Sequence, residues 1–275
     1  MGRRRIGRKR IESALKKLNA TKANTAGSRA GQTGFDMPPW QLMPSKYFGI
    51  FDDFLVADGS TGLDQDEDMA QGSNIDGTVW RTNVDGTSDT IKLNNGVTGG
   101  VVEILHGTAD NEESHMTAIN HGFATDAASP RKMWATCRLK TSDSNATGLF
   151  IGLASDNGDE EVSILTDGGG ATEDAIGFYL LDGSAAETIT LLTAVGDSET
   201  VTSCTDSFAD DTYVTLSWYY NGSSVEAYVN GTLRATVTTN IPNDGTVMFP
   251  AIHVAAREGA ANTVTVDYMV VCQER

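Results

Sequence analysis

Between residues 213 and 271 the side chains alternate apolar and polar with a period of two, and no other feature constrains the fold as tightly. In Tyr213-Val214-Thr215-Leu216-Ser217-Trp218-Tyr219-Tyr220, the residues Val214, Leu216, Trp218 and Tyr220 share one face, as in a strand with one side buried. Asn221-Gly222-Ser223 breaks the run, after which Val225, Ala227 and Val229 alternate against Glu226 and Tyr228. Asn230-Gly231 follows, a pair that tolerates the positive φ angles of a tight hairpin turn. Leu233, Ala235 and Val237 then resume the alternation, so the pattern predicts an antiparallel meander. Ile241-Pro242-Asn243-Asp244-Gly245 turns the chain again, and further strands are expected near 247–255 and 263–271. In the last of them Val264, Val266, Tyr268 and Val270 are expected on one face.

Upstream the same grammar recurs in shorter pieces. Strands are predicted near 78–82, 89–93, 100–105, 116–123, 132–139, 148–154, 162–166, 175–181, 187–193 and 198–202, with a first strand opening at Phe51-Asp52-Asp53-Phe54. Glycine is abundant, at 29 residues, and helix-like periodicity is scarce beyond the N-terminus, which is β-sandwich composition. Many short strands with turn signals between them predict a two-sheet antiparallel jelly roll.

Three groups of residues carry a resemblance to a known family. They are Trp218-Tyr219-Tyr220-Asn221-Gly222-Ser223 with Val225-Glu226-Ala227-Tyr228-Val229-Asn230-Gly231, the terminal Val266-Asp267-Tyr268, and Phe51-Asp52-Asp53-Phe54 with Gly148-Leu149-Phe150-Ile151-Gly152-Leu153 and Ile176-Gly177-Phe178-Tyr179. Together they resemble concanavalin A-like (laminin-G-like) jelly-roll domains, most of all those in structural proteins of tailed bacteriophages. The resemblance spans about residue 51 to the C-terminus. It implies an all-β concanavalin A-like sandwich and, through the phage likeness, a virion protein assembled in the host cytoplasm. The fold itself hosts lectins, glycosidases and purely structural modules alike.

Net charge divides the chain. Residues 1–31 carry ten basic groups against one acid, Glu12, for a net +9. With 20 basic and 37 acidic groups in all, the other 244 residues hold ten against 36, a net −26. Such asymmetry suggests a basic arm that works on a polyanion or an acidic protein surface, attached to an acidic body that repels nucleic acid. Residues 1–19 read as a basic amphipathic arm, with Arg3, Arg4, Arg5, Arg8, Lys9 and Arg10 flanking an apolar stripe of Ile11, Leu15 and Leu18. Three readings of the arm stand: a solvated tail, a nucleic-acid contact, and a dock on a protein partner. No aromatic side chain interleaves the basic ones, so a stacking platform for single strands is missing.

Residues 20–50 combine a small-residue linker with a proline-fixed aromatic segment containing Trp40, Tyr47 and Phe48. That segment either lines the surface of its own sandwich or anchors to a neighbouring subunit. The sandwich is expected over 51–275. Homo-oligomerisation and partners among capsid or tail subunits are expected with it.

Catalytic and metal chemistry finds little to stand on. Jelly-roll glucanases that resemble this fold present carboxylates as Glu-x-Asp-x-Glu or Glu-x-Asp-x-x-Glu on one strand, and neither spacing occurs. Asp64, Asp66 and Asp68 lack the glycine and glutamate of an EF-hand, having Met69 and Ile75 at those positions. Asp156, Asn157 and Asp159 form a second acidic loop, and for both loops a solvated surface is the expectation. The four histidines show no metal-binding spacing. No enzymatic activity, cofactor or metal is expected. Cys137, Cys204 and Cys272 are expected as buried thiols. No apolar run is long enough to span a membrane, and no secretory leader is visible. Three functions therefore compete: a capsid-decorating virion protein, a glycan-binding module of a tail fibre or spike using Trp134, Tyr219 and Tyr228, and, least supported, a glycan hydrolase.

Overall fold

The computed structural model describes residues 46–52, 80–84, 89–93, 100–108, 113–118, 121–155, 173–180, 188–257 and 259–275. Among them are sixteen strands and no helix. The first half of the chain supplies β1 (Tyr47–Asp52), β2 (Arg81–Val84), β3 (Thr90–Leu93), β4 (Val102–His106), β5 (Glu113–Thr117), β6 (Phe123–Asp126), β7 (Met133–Thr141) and β8 (Thr147–Ala154). The second supplies β9 (Ala175–Leu180), β10 (Thr188–Val195), β11 (Ser198–Ser207), β12 (Val214–Tyr220), β13 (Val225–Val229), β14 (Thr232–Val237), β15 (Asp244–Ala256) and β16 (Asn262–Glu274).

These strands form two antiparallel sheets. One runs β14-β13-β12-β7-β16-β4-β3 with β1 added on β16, the other β11-β10-β9-β8-β15-β5-β2 with β6 added on β15. Alternate residues of both sheets point between them and make the core, among them Ile104, Leu139, Trp218 and Val264 from one side and Ile151, Phe178, Leu191 and Ile252 from the other. The opposite face of the second sheet carries a smaller buried cluster that includes Phe150, Tyr179 and Leu192.

Both 13-residue strands serve three partners, because each lends one edge to two short strands end to end. β16 pairs β4 through Asn262–Val266 and β1 through Met269–Glu274, with β7 along the other edge. β15 pairs β6 through Asp244–Met248 and β5 through Ala251–Ala255, with β8 opposite. β16 is irregular where its partner changes, with a register shift between Val266 and Tyr268, whereas the shift on β15 lies between Asp244 and Val247, within its pairing with β6. Pro250 occupies the changeover on β15, its carbonyl accepting the Ala118 N–H at 2.9 Å. A strand residue directs its N and C=O to the same edge, so the N–H that proline lacks falls in the gap between β5 and β6.

Several expectations are corrected here. The strand expected over 116–123 is two, β5 and β6, separated at the Pro250 gap, and Gly122 passes so near β15 that a Cβ would sit 2.5 Å from Val247 Cγ1. Val264, Val266, Tyr268 and Val270 do not share a face: a register shift between Val266 and Tyr268 puts Met269 and Val271 in the core and turns Tyr268 and Val270 outward. The first strand starts at Tyr47, ahead of the expected Phe51. The strand expected over 162–166 and the arm over 1–19 lie outside the described residues.

β8 and β9 approach closely at a pair of glycines. Gly152 faces Gly177 in the ladder, and a Cβ on Gly152 would fall 2.3 Å from Ile176 O. Backbone cannot yield as a flexible side chain can, so Gly152→Ala is expected to destabilise the domain by about 1–3 kcal/mol, read as a lower denaturation midpoint in urea. An unchanged midpoint would show that the two strands can separate freely.

Candidate functional site

The outer face of the β1-bearing sheet gathers the aromatic residues that the sequence marks. Antiparallel register sets Trp134 opposite Tyr219 on one side and Cys272 on the other, with Gly49 beyond. Trp134 stacks on Tyr219 with centroids 5.4 Å apart, and the Tyr47 ring meets Trp134 edge-on at 5.7 Å. Burial and then the Glu274 charge raise the Tyr47 phenol above its ordinary value, so it stays a neutral donor. The next row crosses six strands as Leu233, Tyr228, Ser217, Thr136, Val270 and Phe51. Its two ends are open, Leu233 at 50% and Phe51 at 49% exposure.

Charge on this face is compensated. The Arg138 guanidinium pairs with Asp267 and lies 4.0 Å over the Tyr213 ring, while Lys140 reaches Asp211 at 3.4 Å. The result is a face whose middle is buried at Ser217, Tyr219 and Tyr228, with Leu233 and Phe51 open at its two ends and ion pairs along one side.

The expected glycan-binding aromatics are thus on one sheet face, but two of the three are not presented to solvent. Tyr219 is 3% and Tyr228 5% exposed, and Tyr228 OH donates to Glu226. Trp134 alone of them is half-buried. Of the expected anchor residues, Tyr47 belongs to this face. Phe48 points to the other side of β1, where it stacks on Phe123 at 5.2 Å and packs against the core. Both therefore lie on their own sandwich. Arg3, Arg4, Arg5, Arg8, Lys9, Arg10, Ile11, Leu15, Leu18 and Trp40 lie outside the described residues, as do both acidic loops.

A cleft of about 480 Å³ opens at one end of the sandwich, at residues that sequence reasoning missed. The turn after β10 brings Ser198, the turn after β12 brings Gly222 and Ser223, and the link from β14 to β15 brings Thr238, Asn240, Ile241 and Asn243. Asn240 adopts φ +48° and donates through Nδ2 to Glu199 O at 2.9 Å and Thr200 Oγ1 at 3.1 Å, which fixes the rim. The lining is neutral: hydroxyls and amides around Tyr220, with no charged side chain. Such groups hydrogen-bond uncharged polar ligands. The three residues meet only through long-range pairing, which no local spacing announces.

The outer face of the second sheet is apolar and buried where β8 and β9 cross it. Phe150, Gly152, Ala154, Ala175, Gly177 and Tyr179 contribute no carboxylate, and burial, then the Glu199 charge, push the Tyr179 phenol up to about 12. Among the described residues no three His, Cys, Asp or Glu side chains converge as metal ligands. Cys137, Cys204 and Cys272 are buried thiols, with Cys204 pushed up to about 11 by burial.

No protein-family model matches the chain, and no curated protein matches its sequence. Solved structures do. The chain is similar to the carbohydrate recognition domain of Emp46p in its metal-free form, with a TM-score of 0.52 and 13% identity over 74% of this chain and 94% of that one. It is similar to peanut lectin with a bound 9mer peptide, at 0.54 and 9% identity over 82% and 97%. A protein of unknown function from Shewanella oneidensis MR-1 matches at 0.51 and 15% identity over 88% and 95%. Likeness at these identities shows the fold: the chain is a concanavalin A-like, legume-lectin-like jelly-roll sandwich.

The stack divides its work between core and surface. Tyr219→Ala is expected to cost about 3–5 kcal/mol, as for a buried aromatic, whereas Trp134→Ala costs markedly less. Guanidinium denaturation of the two variants checks this, and equal losses would contradict the burial difference.

Proposed function

We propose that the chain is a non-enzymatic virion structural protein of a tailed bacteriophage, a capsid-decorating sandwich fastened by its basic N-terminal stretch and assembled in the host cytoplasm. One observation carries the reading. Tyr47 is at once the first residue of β1 and the outer ring of the Tyr47–Trp134–Tyr219 stack, so the first described strand begins at the rim of the aromatic face. At that entry Tyr47 pairs with Glu274, and Arg275 N–H donates to Lys46 O at 2.7 Å.

A +9 stretch in the sequence and an aromatic face on the body suit a partner that is acidic and grooved, such as a lattice of capsid or tail subunits. Repeated weak contacts across such a lattice, or among copies of an oligomer, gain from avidity. The acidic body turns away from packaged nucleic acid and leaves only the basic stretch able to touch phosphate. Among the described residues no helix is long and apolar enough to cross a membrane, and the proposal includes no membrane contact.

Removal of residues 1–34 is expected to leave a folded sandwich that no longer joins the particle, and raised salt is expected to weaken attachment of the intact protein. Particle occupancy measured by quantitative mass spectrometry checks this. Normal occupancy of the truncated protein would move the anchor into the sandwich.

The cleft favours a second reading, a glycan-binding module on a tail fibre or spike. Its uncharged hydroxyl and amide lining suits a neutral sugar. Binding on a glycan array that Ser223→Trp abolishes would support it, and silence across the array would leave the attachment role alone.

A further inference from the structure

The pair β5 and β2 forms one margin of the second sheet, and among the described residues it is held within that sheet only through β15. Five residue pairs make that attachment, and the middle one is His115 opposite His253. Their rings stack with centroids 4.7 Å apart and 27° between planes. His253 is fully buried, its far side meets the Phe150 ring at 5.6 Å, and neither of its ring nitrogens has a hydrogen-bond partner among the described residues. A cation created there would be both unpaired and desolvated.

The surroundings decide which ring can hold a proton. From β5, Glu113 Oε2 lies 3.2 Å from His115 Nε2, so His115 has an anion beside it. β8 offers Phe150 and no titratable group, β9 offers Tyr179, β2 carries Arg81, and Arg257 follows the end of β15. From β4, His106 lies within the electrostatic reach of His115 and Glu113, with its Nδ1 2.9 Å from Asp89 Oδ2. A proton on His253 would place an unpaired cation between the His115 and Phe150 rings in a dry site.

We propose that the His115–His253 pair is an acid-sensitive latch, which holds β5 and β2 on β15 at neutral pH and releases them on acidification while the rest of the sandwich stays folded. The proton finds its place only when the strands part, because solvent then reaches both rings. Burial first, and then the charge of His115, hold His253 well below the ordinary 6.5. Burial also lowers His106, against the opposing pull of Asp89. A histidine depressed in the closed state binds fewer protons than in the open one. Its stabilisation is therefore complete above about pH 6.5 and is lost as the pH falls below that toward the closed-state value, by roughly tenfold in the opening equilibrium per pH unit and per histidine.

Amide hydrogen exchange of the full-length protein at pH 7.5, 6.5, 5.5 and 5.0, corrected for the intrinsic rates, tests the latch. Opening of residues 113–117 and 81–84 is expected to rise at least tenfold between pH 7.5 and 5.0 while residues 149–154 stay protected. In His253→Phe, which keeps a ring against Phe150, that rise is expected to be severalfold smaller, because His253 no longer takes up a proton on opening. Equal opening of 113–117 at both ends of the range would overturn the proposal, as would loss of 149–154 in step with it, or an undiminished rise in His253→Phe. If that variant fails to fold, an NMR titration of the native histidine rings decides. A His253 ring that gains its proton at or above pH 6.5 while 113–117 remain protected would overturn the latch, and a ring that titrates only as 113–117 open would support it.

Discussion

Two consecutive strands, one in each sheet, hold this sandwich together. β15 and β16 are each 13 residues long, which at about 3.3 Å per residue is room for two short strands end to end on one edge. The link between them therefore couples the two sheets as well as two strands. Arg257 N–H and the Asn262 side-chain amide both donate to Ala146 O, at 2.9 Å and 2.6 Å, and tie that link to the start of β8. β1 closes on the far end of the same strand, Tyr47 against Glu274, so the sheets are completed by pairings of long sequence separation.

The irregularities on those strands shape the surface. The shift between Val266 and Tyr268 keeps Met269 and Val271 in the core and releases Tyr268 and Val270 to the outer face. Asp267 sits at the shift and engages Arg138, which removes a free charge from the side of the aromatic surface. On β15 the Pro250 gap separates β6 from β5 and leaves β5 attached by five pairs with the histidines at their centre. The aromatic face and the histidine pair both follow from where a long strand changes partners.

Much of the fold was legible because a half-buried strand writes its own period. β12 and β13 match the alternation of Val214 to Val229, and Ala235 and Val237 continue it on β14, whereas a register shift between Ala227 and Tyr228 sets Leu233 opposite Tyr228 on the outer face instead of beside them. A bulge is not written that way: Val264, Val266, Tyr268 and Val270 read as one face until a single extra residue rotates half the strand, and nothing local in Val266-Asp267-Tyr268 marks it. The split between β5 and β6 was hidden for a related reason, since its cause, Pro250, lies far along the chain. Trp134, Tyr219 and Tyr228 could be named as surface aromatics, yet their burial depends on cross-strand neighbours such as Tyr47, which period alone does not identify. The end cleft was invisible because Ser198, Ser223 and Asn240 come from three turns brought together by pairing.

Native-state hydrogen exchange at neutral pH tests most directly whether β15 and β16 hold both sheets as one unit. The amides of 251–256 and 264–271, with those of β7 and β8 bonded to them, should be the last to exchange and should share one opening free energy across the two sheets. If one sheet opened as a unit while the other kept its protection, or if the β12–β14 meander outlasted both long strands, the two sheets would be separately stable and this account would be wrong.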